Sequence, residues 1–93
     1  MPLMRTISLV VPCLNEAEAL PFFYREFAAL ADKMNNVTFE VVLVDDGSRD
    51  GTLSIIKNLR DSDKRVHYIS FSRNFGKEAA MLAGMAYSKG DYV

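Results

Sequence analysis

Apolar and polar positions alternate along this chain in blocks that predict strands and helices in turn. Three blocks of β-branched and apolar residues predict strands at Thr6–Pro12, Thr38–Asp45 and Val66–Ser72. The first block is almost continuously apolar, which is typical of a parallel strand covered on both faces. A fourth strand is predicted to begin at Asp91–Val93.

The interval after the first strand predicts a turn followed by a helix. Asn15 and Glu18 have the spacing of a capping box, and Pro21 suits a first helical turn because it has no amide hydrogen to leave unpaired. The helix is predicted to end at Asn35 and Asn36. Its inward face is predicted from apolar residues three or four positions apart, namely Phe23, Phe27, Leu30 and Met34.

Two further helices are predicted in the later intervals. One covers Thr52–Arg60, with Asp50 as its N-cap, and the other covers Lys77–Ser88, after Asn74 and Gly76 break the strand pattern. Their inward residues are predicted to be Leu53, Ile56 and Leu59 in the second helix, and Ala79, Leu82, Ala83 and Ala86 in the third.

The order βαβαβαβ predicts an α/β fold: a Rossmann-like parallel sheet with helices on both faces. Because strand-helix-strand crossovers are right-handed, the first three strands are predicted to lie in the spatial order 3-2-1. The fourth strand would then lie on the far side of the first. In such sheets ligands bind in the crevice outside the carboxyl ends of the strands, so residues that follow the strands are the candidates for function.

Length, charge and cysteine content narrow the range of functions. The chain has 93 residues, which suits a single domain or part of one, and a net charge of -1, which does not favour nucleic acid as a partner. A single cysteine excludes an intramolecular disulfide and favours a cytoplasmic location. The first residues do not have the pattern of a signal peptide, and no stretch of the sequence approaches the about 20 apolar residues of a membrane-spanning helix.

Two adjacent carboxylates, Asp45 and Asp46, follow the second strand and lead into a turn at Gly47 and Ser48. A carboxylate is a hydrogen-bond acceptor only, so it suits ribose hydroxyls or a nucleobase N–H group. Neighbouring strand residues point to opposite faces, so both side chains can reach one site only where the strand has already turned. The alternative is that one caps the turn and the other is solvated.

Two other groups of residues are predicted at the same edge of the sheet. Pro12, Asn15 and Glu16 follow the first strand, where Glu16 is a possible second acceptor and the others suit a rigid turn. Arg73, Asn74, Gly76 and Lys77 follow the third strand. Gly76 permits a close approach of the backbone, and Lys77 lies near a helix N-terminus. That end of a helix already favours anions, so a cation there is suited to neutralising a phosphate, although a solvated lysine is the alternative.

Other reactive side chains have weaker support from the sequence. His67 is the only histidine and has no cysteine or histidine partner at ligand spacing, so a packing or surface role is expected. Cys13 has no histidine close by in the sequence, so it is not expected to be a nucleophile. Met81 and Met85 are expected to pack within the third helix.

Three segments, Val11–Glu16, Val44–Gly51 and Ser72–Ala80, resemble in order and spacing the opening motifs of family 2 glycosyltransferases. They are most similar to the polyprenyl-phosphate branch, which includes dolichol-phosphate mannose synthases and bactoprenol glucosyl transferases. The segment Ser72–Ala80 resembles the bactoprenol group in particular. The resemblance covers essentially the whole chain.

The resemblance implies a GT-A fold, of which residues 1–93 would be the N-terminal, nucleotide-binding half. It also implies transfer of a sugar from a nucleotide-sugar donor, with a UDP-sugar favoured. The acceptor would be a polyprenyl phosphate at the cytoplasmic face of a membrane. The implied nucleotide-binding residues are Pro12, Leu14, Glu16, Asp45 and Lys77, with Lys77 near the base or a phosphate. The implied loop-shaping residues are Asn15, Asp46, Gly47, Ser48 and Gly76.

The family's Asp-x-Asp motif, which holds a divalent Mg or Mn ion, follows the fourth strand and would lie beyond Val93. Neither metal ligands nor a catalytic base are therefore expected in these residues, and the chain alone is expected to bind nucleotide without turnover. An alternative is a non-catalytic interaction module that forms homo-oligomers through an open sheet edge. A dinucleotide-dependent oxidoreductase is disfavoured because Pro12–Glu16 stands where a Gly-x-Gly-x-x-Gly turn is needed. A receiver domain is disfavoured because Phe71–Arg73 replaces its phosphorylated Asp.

Overall fold

A computed structural model describes residues 5–90 and residue 93. Its strands and helices alternate along the chain: β1 (Arg5–Cys13), α1 (Leu20–Lys33), β2 (Val37–Asp45), α2 (Thr52–Ser62), β3 (Val66–Ser70) and α3 (Lys77–Tyr87). The predicted fourth strand depends on Asp91 and Tyr92, which lie outside the described residues.

The three described strands form one parallel sheet with β2 in the centre, which confirms the predicted fold class and the order 3-2-1. The register pairs Cys13 of β1 with Asp45 of β2, and Asp45 with Ser70 of β3. All three strands therefore end at the same edge of the sheet. The loops that follow them are brought together there, as the sequence predicts.

Helices cover both faces of the sheet. On one face, α1 and α2 pack over alternate residues of the strands, and the buried members of this core are Cys13, Leu20, Phe27, Val41, Leu43, Ile56 and Val66. On the other face, α3 packs on the intervening residues of β2, with Val42, Val44 and Ala80 buried. Gly84 of α3 lies so close to the sheet that an added Cβ would be 3.1 Å from the Val44 side chain. Burial of these apolar groups is the main driving force that holds the helices on the sheet.

The predicted start and inward face of α1 are partly wrong. Asn15 adopts a left-handed conformation with φ 54°, and Ala19 rather than Asn15 precedes the helix, without a side-chain cap. The capping box therefore does not form, because Asn15 belongs to a loop instead. Leu30 is 54% exposed and Met34 lies beyond the helix end, whereas Leu20 and Phe27 are buried. The buried stripe is rotated relative to the predicted one, which included Phe27 but not Leu20.

Predictions for the other elements differ from the structure in smaller ways. β3 ends at Ser70, two residues before the end predicted from the apolar pattern. Gly51 is the N-cap of α2, although the Asp50 carboxylate one residue earlier still accepts a hydrogen bond from the Thr52 amide, at 2.9 Å. Leu82 of α3 is 68% exposed, so its predicted inward position is wrong.

Met81, Met85 and Ala86 of α3 are also exposed, against the expectation that they pack inward. The buried residues of this helix are Ala80 and Gly84. Small residues face the sheet because the helix axis lies close to β1 and β2, and this proximity leaves the longer side chains on the outer surface.

An ion-pair cluster joins α1, α2 and β3 at the amino-terminal edge of the sheet. The Arg65 guanidinium donates to Asp63 at 2.8 Å and to Asp32 at 3.1 Å, and it lies over the Phe27 ring. Asp63 also accepts a hydrogen bond from the Tyr24 hydroxyl, at 2.8 Å. Hydrogen bonds from Arg65 outweigh the effect of burial and lower the pKa of Asp63 to about 2.

Candidate functional site

A cleft of about 330 Å³ opens at the carboxyl ends of β1 and β2, beside the N-terminus of α3. Its lining residues are Pro12, Cys13, Leu14, Glu16, Asp46, Asn74, Gly76 and Lys77. Four of the five predicted nucleotide-binding residues are therefore gathered here: Pro12, Leu14, Glu16 and Lys77. Their side chains come from the end of β1 with the loop after it and from the first residue of α3, and the parallel sheet brings these two segments together.

The loop that carries Leu14 and Glu16 is attached to the loop after β2 by hydrogen bonds in both directions. The Asn15 amide donates to Ser48 Oγ at 2.9 Å, and Asn15 Oδ1 accepts from the Arg49 amide at 2.9 Å. Asn15 needs its left-handed conformation for this exchange, which asparagine tolerates better than most residues. Asn15 and Ser48 thus hold the wall of the cleft against the neighbouring loop.

Glu16 is held by a second set of contacts at the start of α2. Its amide donates to Thr52 Oγ1 at 2.8 Å, and the Thr52 hydroxyl in turn donates to the Asp50 carboxylate. Asp50 also accepts from the Ala17 amide at 3.2 Å. Hydrogen bonds from Thr52 lower the pKa of Asp50, so this carboxylate stays ionised as an acceptor. The Glu16 backbone is therefore fixed, while its side chain is exposed and lines the cleft.

Asp46 organises the opposite wall. Its side chain is buried, and its carboxylate accepts hydrogen bonds from the amides of Phe75 at 2.8 Å and Gly76 at 3.2 Å. Hydrogen bonds to an ionised acceptor are stronger than those between neutral groups. Asp46 therefore fixes the loop from which α3 begins, and with it the position of Lys77.

Gly47 lets the loop after β2 pass in direct contact with the loop that precedes α3. Its φ is +78°, and a Cβ added there would lie 2.5 Å from the Asn74 nitrogen. A side chain at this position would meet both an unfavourable backbone conformation and the backbone of the next loop. Glycine is thus required by the close contact between the two loops.

Asp45 lies on the other side of the sheet from Asp46. It is buried, it accepts a hydrogen bond from the Ser48 amide at 3.1 Å, and it lines a neighbouring cavity of about 430 Å³ together with Ser70 and Arg73. Consecutive residues at the end of a strand point to opposite faces, and here each carboxylate is bonded to a different loop. Asp45 is therefore not gathered with Pro12 and Leu14, and its role as a ligand acceptor stays a prediction.

Lys77 is the first residue of α3, directly after Gly76 in an extended, positive-φ conformation of 104°. Its side chain is exposed and lines the cleft. Free amide groups at a helix N-terminus already attract negative charge, and a lysine at the same place adds a full positive charge. This end of the cleft is suited to an anionic group.

Cys13 and His67 do not form a reactive pair. Cys13 is 1% exposed, and burial, together with the charges of Glu16 and Asp45, raises the pKa of its thiol to about 12. His67 packs against the Tyr87 ring with its Nε2 atom 3.6 Å from Glu40. The contact with Tyr87 agrees with the packing or surface role expected for His67.

One residue of the site, Thr52, is not singled out by sequence reasoning, although it carries the hydrogen bond that holds Glu16. The cluster after the third strand is partly gathered in the cleft: Asn74, Gly76 and Lys77 line it, whereas Arg73 lines the neighbouring cavity. Asn74 also accepts a hydrogen bond from the Gly76 amide, at 2.9 Å.

The described residues do not provide a metal site of their own. In residues 5–90 and 93, no group of three or more histidine, cysteine, aspartate or glutamate side chains is arranged to hold a metal ion. Of the two carboxylates in the cleft, Asp46 is already engaged with the amides of Phe75 and Gly76. The divalent ion implied by the family resemblance therefore does not fit these residues alone.

Comparison with known proteins finds several similar sequences. The chain is 48% identical over 90 residues to a prophage bactoprenol glucosyl transferase homolog of Escherichia coli and 49% identical over 90 residues to the bactoprenol glucosyl transferase of Shigella phage SfX. It is 35% identical over 91 residues to an undecaprenyl-phosphate 4-deoxy-4-formamido-L-arabinose transferase of Pseudomonas syringae. These alignments cover 94%, 94% and 97% of the chain.

The chain spans only 28%, 28% and 27% of the lengths of these three relatives. Within the part of the chain that the structure describes, none of the helices is both long enough and apolar enough to cross a membrane.

The family model described as glycosyl transferase family 2 matches residues 8–93, which include all three loops of the cleft. The chain therefore belongs to glycosyl transferase family 2.

Proposed function

We propose that this chain supplies the donor-nucleotide half-site of a glycosyltransferase that moves a sugar from a UDP-sugar to a polyprenyl-phosphate lipid. Membership of glycosyl transferase family 2 supports the reaction class. The names of the relatives, which refer to bactoprenol and undecaprenyl-phosphate, support the acceptor class. The donor and the half-site role are argued from the cleft itself.

The observation that carries the proposal is that one cleft combines an acceptor carboxylate and a cation on opposite walls. Glu16 lies on the wall formed by the loop after β1, and Lys77 lies on the wall formed by the start of α3. A nucleoside diphosphate needs both groups: an acceptor for ribose hydroxyls or a base N–H, and positive charge for its phosphates. Pro12 and Leu14 add an apolar surface on which a base can rest.

Asp45 is proposed as a second acceptor for the base. Its cavity lies at the same edge of the sheet as the cleft, and it adjoins the Asn74 segment that lines both spaces. A ligand that reaches across this segment could contact both sites. The divalent Mg or Mn ion is proposed to be held by residues outside those described, and the site of reaction is proposed to be the cytoplasmic face of a membrane.

The test is calorimetric titration of the purified chain with UDP, GDP and uridine. Lys77→Ala should weaken UDP binding about tenfold or more but leave uridine binding unchanged, because only UDP carries the phosphates that the lysine neutralises. Lys57→Ala, which removes an exposed lysine from α2, is the matched control. Glu16→Gln and Asp45→Asn should weaken both ligands.

Selective binding of UDP with this pattern of variants would support the half-site and the UDP donor. Preference for GDP would reject the UDP assignment while retaining the site. If neither nucleotide binds, and the chain instead dimerises with increasing concentration, the proposal is wrong and the interaction-module alternative is favoured. An equal loss of UDP affinity in the Lys57 control would reject the specific role of Lys77.

A further inference from the structure

Two carboxylates flank the part of β2 that packs against α3. Glu40 and Asp46 lie on the same face, because residues of a strand alternate and these two are separated by an even number of positions. The residues between them on this face are Val42 and Val44, which pack against α3. Six strand residues span roughly 20 Å, which is slightly more than the roughly 16 Å length of an 11-residue helix.

Asp46 holds the N-terminal end of α3 through the amides of Phe75 and Gly76, at 2.8 and 3.2 Å. Both amides belong to the segment directly before the helix. At this end the helix N-terminus is positive, so a nearby carboxylate is also favourable electrostatically. The cleft residue Lys77 follows immediately after this attachment.

Glu40 holds the other end of α3. Its side chain is only 12% exposed, and its Oε2 atom accepts hydrogen bonds from the Ser8 hydroxyl and from the Lys89 amide, the latter at 2.8 Å. The Gly90 amide donates to Ser8 Oγ at 3.0 Å, which completes the chain of contacts. His67 lies 3.6 Å from the other carboxylate oxygen.

A carboxylate suits position 40. Its Oε2 atom accepts from a hydroxyl and from an amide at the same time, and a glutamine could offer these two donors only a neutral oxygen, which makes weaker hydrogen bonds. Burial raises the pKa of Glu40, but the hydrogen bonds from Ser8 and Lys89 outweigh it, and the net pKa is lowered. Glu40 is therefore ionised in the folded chain at neutral pH.

The middle of α3 is packed so closely against the sheet that the helix has little room to move. Gly84 is in close contact with β1 and β2, and an added Cβ there would collide with the Val10 side chain and lie 3.1 Å from the Val44 side chain. Close-packed interfaces of this kind move as units, so a displacement at one end of a short helix is passed to the other. The helix links Gly90 at the amino-terminal edge of the sheet to Gly76 in the cleft.

We propose that Glu40 is a positioning residue for the cleft: by anchoring the C-terminal end of α3, it sets the place of Gly76 and Lys77 at the other end. The residue does not contact the cleft, and it acts through the helix. The proposal concerns the geometry of Lys77 and rests on the proposed function only for its consequence in nucleotide binding.

The first readout needs no ligand. Two-dimensional NMR spectra of the ligand-free chain are compared for Glu40→Gln and Ser8→Ala, with Glu26→Gln, an exposed glutamate of α1, as the matched control. In Glu40→Gln, we expect hydrogen exchange of the Lys89 amide to accelerate about tenfold or more, since it loses an ionised acceptor. We also expect the amide resonances of Gly76 and Lys77 to shift.

A general loss of stability must be separated from this specific effect. Ile56→Val removes one methylene from the core on the opposite face of the sheet, so it lowers stability without touching either end of α3. Its Gly76 and Lys77 resonances should not move. Ser8→Ala keeps the carboxylate and should give smaller shifts in the same direction, so it provides the test if Glu40→Gln does not fold.

The proposal is overturned if the spectral changes in Glu40→Gln and Ser8→Ala stay at the amino-terminal edge of the sheet while Gly76 and Lys77 are unchanged. It is also overturned if Ile56→Val shifts those two resonances equally. UDP titration supplies the second readout, with an expected loss of affinity of about threefold or more in Glu40→Gln. Absence of UDP binding in the unmodified chain would refute the proposed function but not the coupling, which the ligand-free spectra decide separately.

Discussion

Replacement of Gly47 by alanine tests the central claim about the site, namely that two loops touch backbone to backbone. The new methyl group would lie 2.5 Å from the Asn74 nitrogen, far inside van der Waals contact. The alternative to this collision is movement of the loop that contains Asn74 and Gly76. That movement would break the hydrogen bonds from this loop to Asp46, which measure 2.8 and 3.2 Å.

The size of the effect follows from two contributions. A non-glycine residue in the left-handed region costs about 1–2 kcal/mol, and Gly47 has φ +78°. Loss of one hydrogen bond to the ionised Asp46 adds about 1.5–3 kcal/mol. The expected destabilisation is therefore about 3 kcal/mol or more, a large part of the roughly 5–14 kcal/mol expected for a domain of this size.

The measurement is urea unfolding followed by far-ultraviolet circular dichroism. The midpoint for Gly47→Ala should fall by roughly 1–3 M, given the usual urea dependence for a small domain. Gly51→Ala is the matched control: Gly51 has φ −80°, and nothing lies within 4 Å of an added Cβ. Its free energy of unfolding should change by no more than about 1 kcal/mol, because loss of a glycine N-cap and the lower entropy of the unfolded chain act in opposite directions.

A third variant separates conformation from collision. Asparagine tolerates positive φ better than alanine, but it carries the same Cβ, so Gly47→Asn should relieve only the smaller part of the loss. Destabilisation of Gly47→Ala by less than about 1 kcal/mol, or an equal effect of Gly51→Ala, would refute the direct contact between the loops. Full recovery in Gly47→Asn would show that the conformation alone matters.

Three further predictions concern side chains with defined partners. Asp46→Asn should lower the free energy of unfolding in the same urea titration by about 1.5–3 kcal/mol, because two loop amides lose a carboxylate acceptor. Its control is Asp61→Asn on the exposed face of α2, which should change this free energy by less than about 0.5 kcal/mol. The pKa of Asp63 is about 2 when folded and 3.8 in its reference state, so its contribution, of order 2 kcal/mol, is present above pH 4 and is lost as pH falls toward 2. The free energy of unfolding should therefore fall less steeply with decreasing pH in Asp63→Asn, because this variant has no carboxylate to pair with Arg65. An unchanged dependence on pH would contradict this role of Asp63. Cys13, with a pKa of about 12 and 1% exposure, should react with a thiol reagent at pH 8 only after unfolding, and rapid labelling of the folded chain would show that the thiol is accessible.

The pattern of the sequence predicts the fold because local and global signals agree. Apolar blocks of strand length alternate with helical periodicity, and this order permits few topologies other than a parallel sheet with helices on both faces. The strand order 3-2-1 follows from the right-handed crossover, and the structure confirms it. The same topology places the candidate site at the carboxyl ends of the strands, and the resemblance to family 2 glycosyltransferases adds a nucleotide-sugar as its expected ligand.

The buried face of a helix is less well determined when most of its residues are apolar. The helix α3 contains alanine, methionine, leucine and glycine all round, so its periodicity does not select one side. The structure buries Ala80 and Gly84 and exposes Leu82, because close approach to β1 and β2 requires small residues. In α1 the buried stripe includes Leu20, which precedes the predicted face, and leaves Leu30 exposed.

Strand order and residue order in the sequence predict the α/β fold and the edge of the sheet where Pro12, Glu16 and Lys77 meet, because together they specify which loops become neighbours. The alternation of strand residues also predicts that Asp45 and Asp46 point to opposite faces. The folded structure adds the partner of each carboxylate: Asp45 accepts from the Ser48 amide in the turn directly after it, whereas Asp46 accepts from the Phe75 amide in the loop after β3. The contact of Asp46 joins residues far apart in the sequence, and such a contact depends on distances across the folded chain, which local residue patterns do not specify.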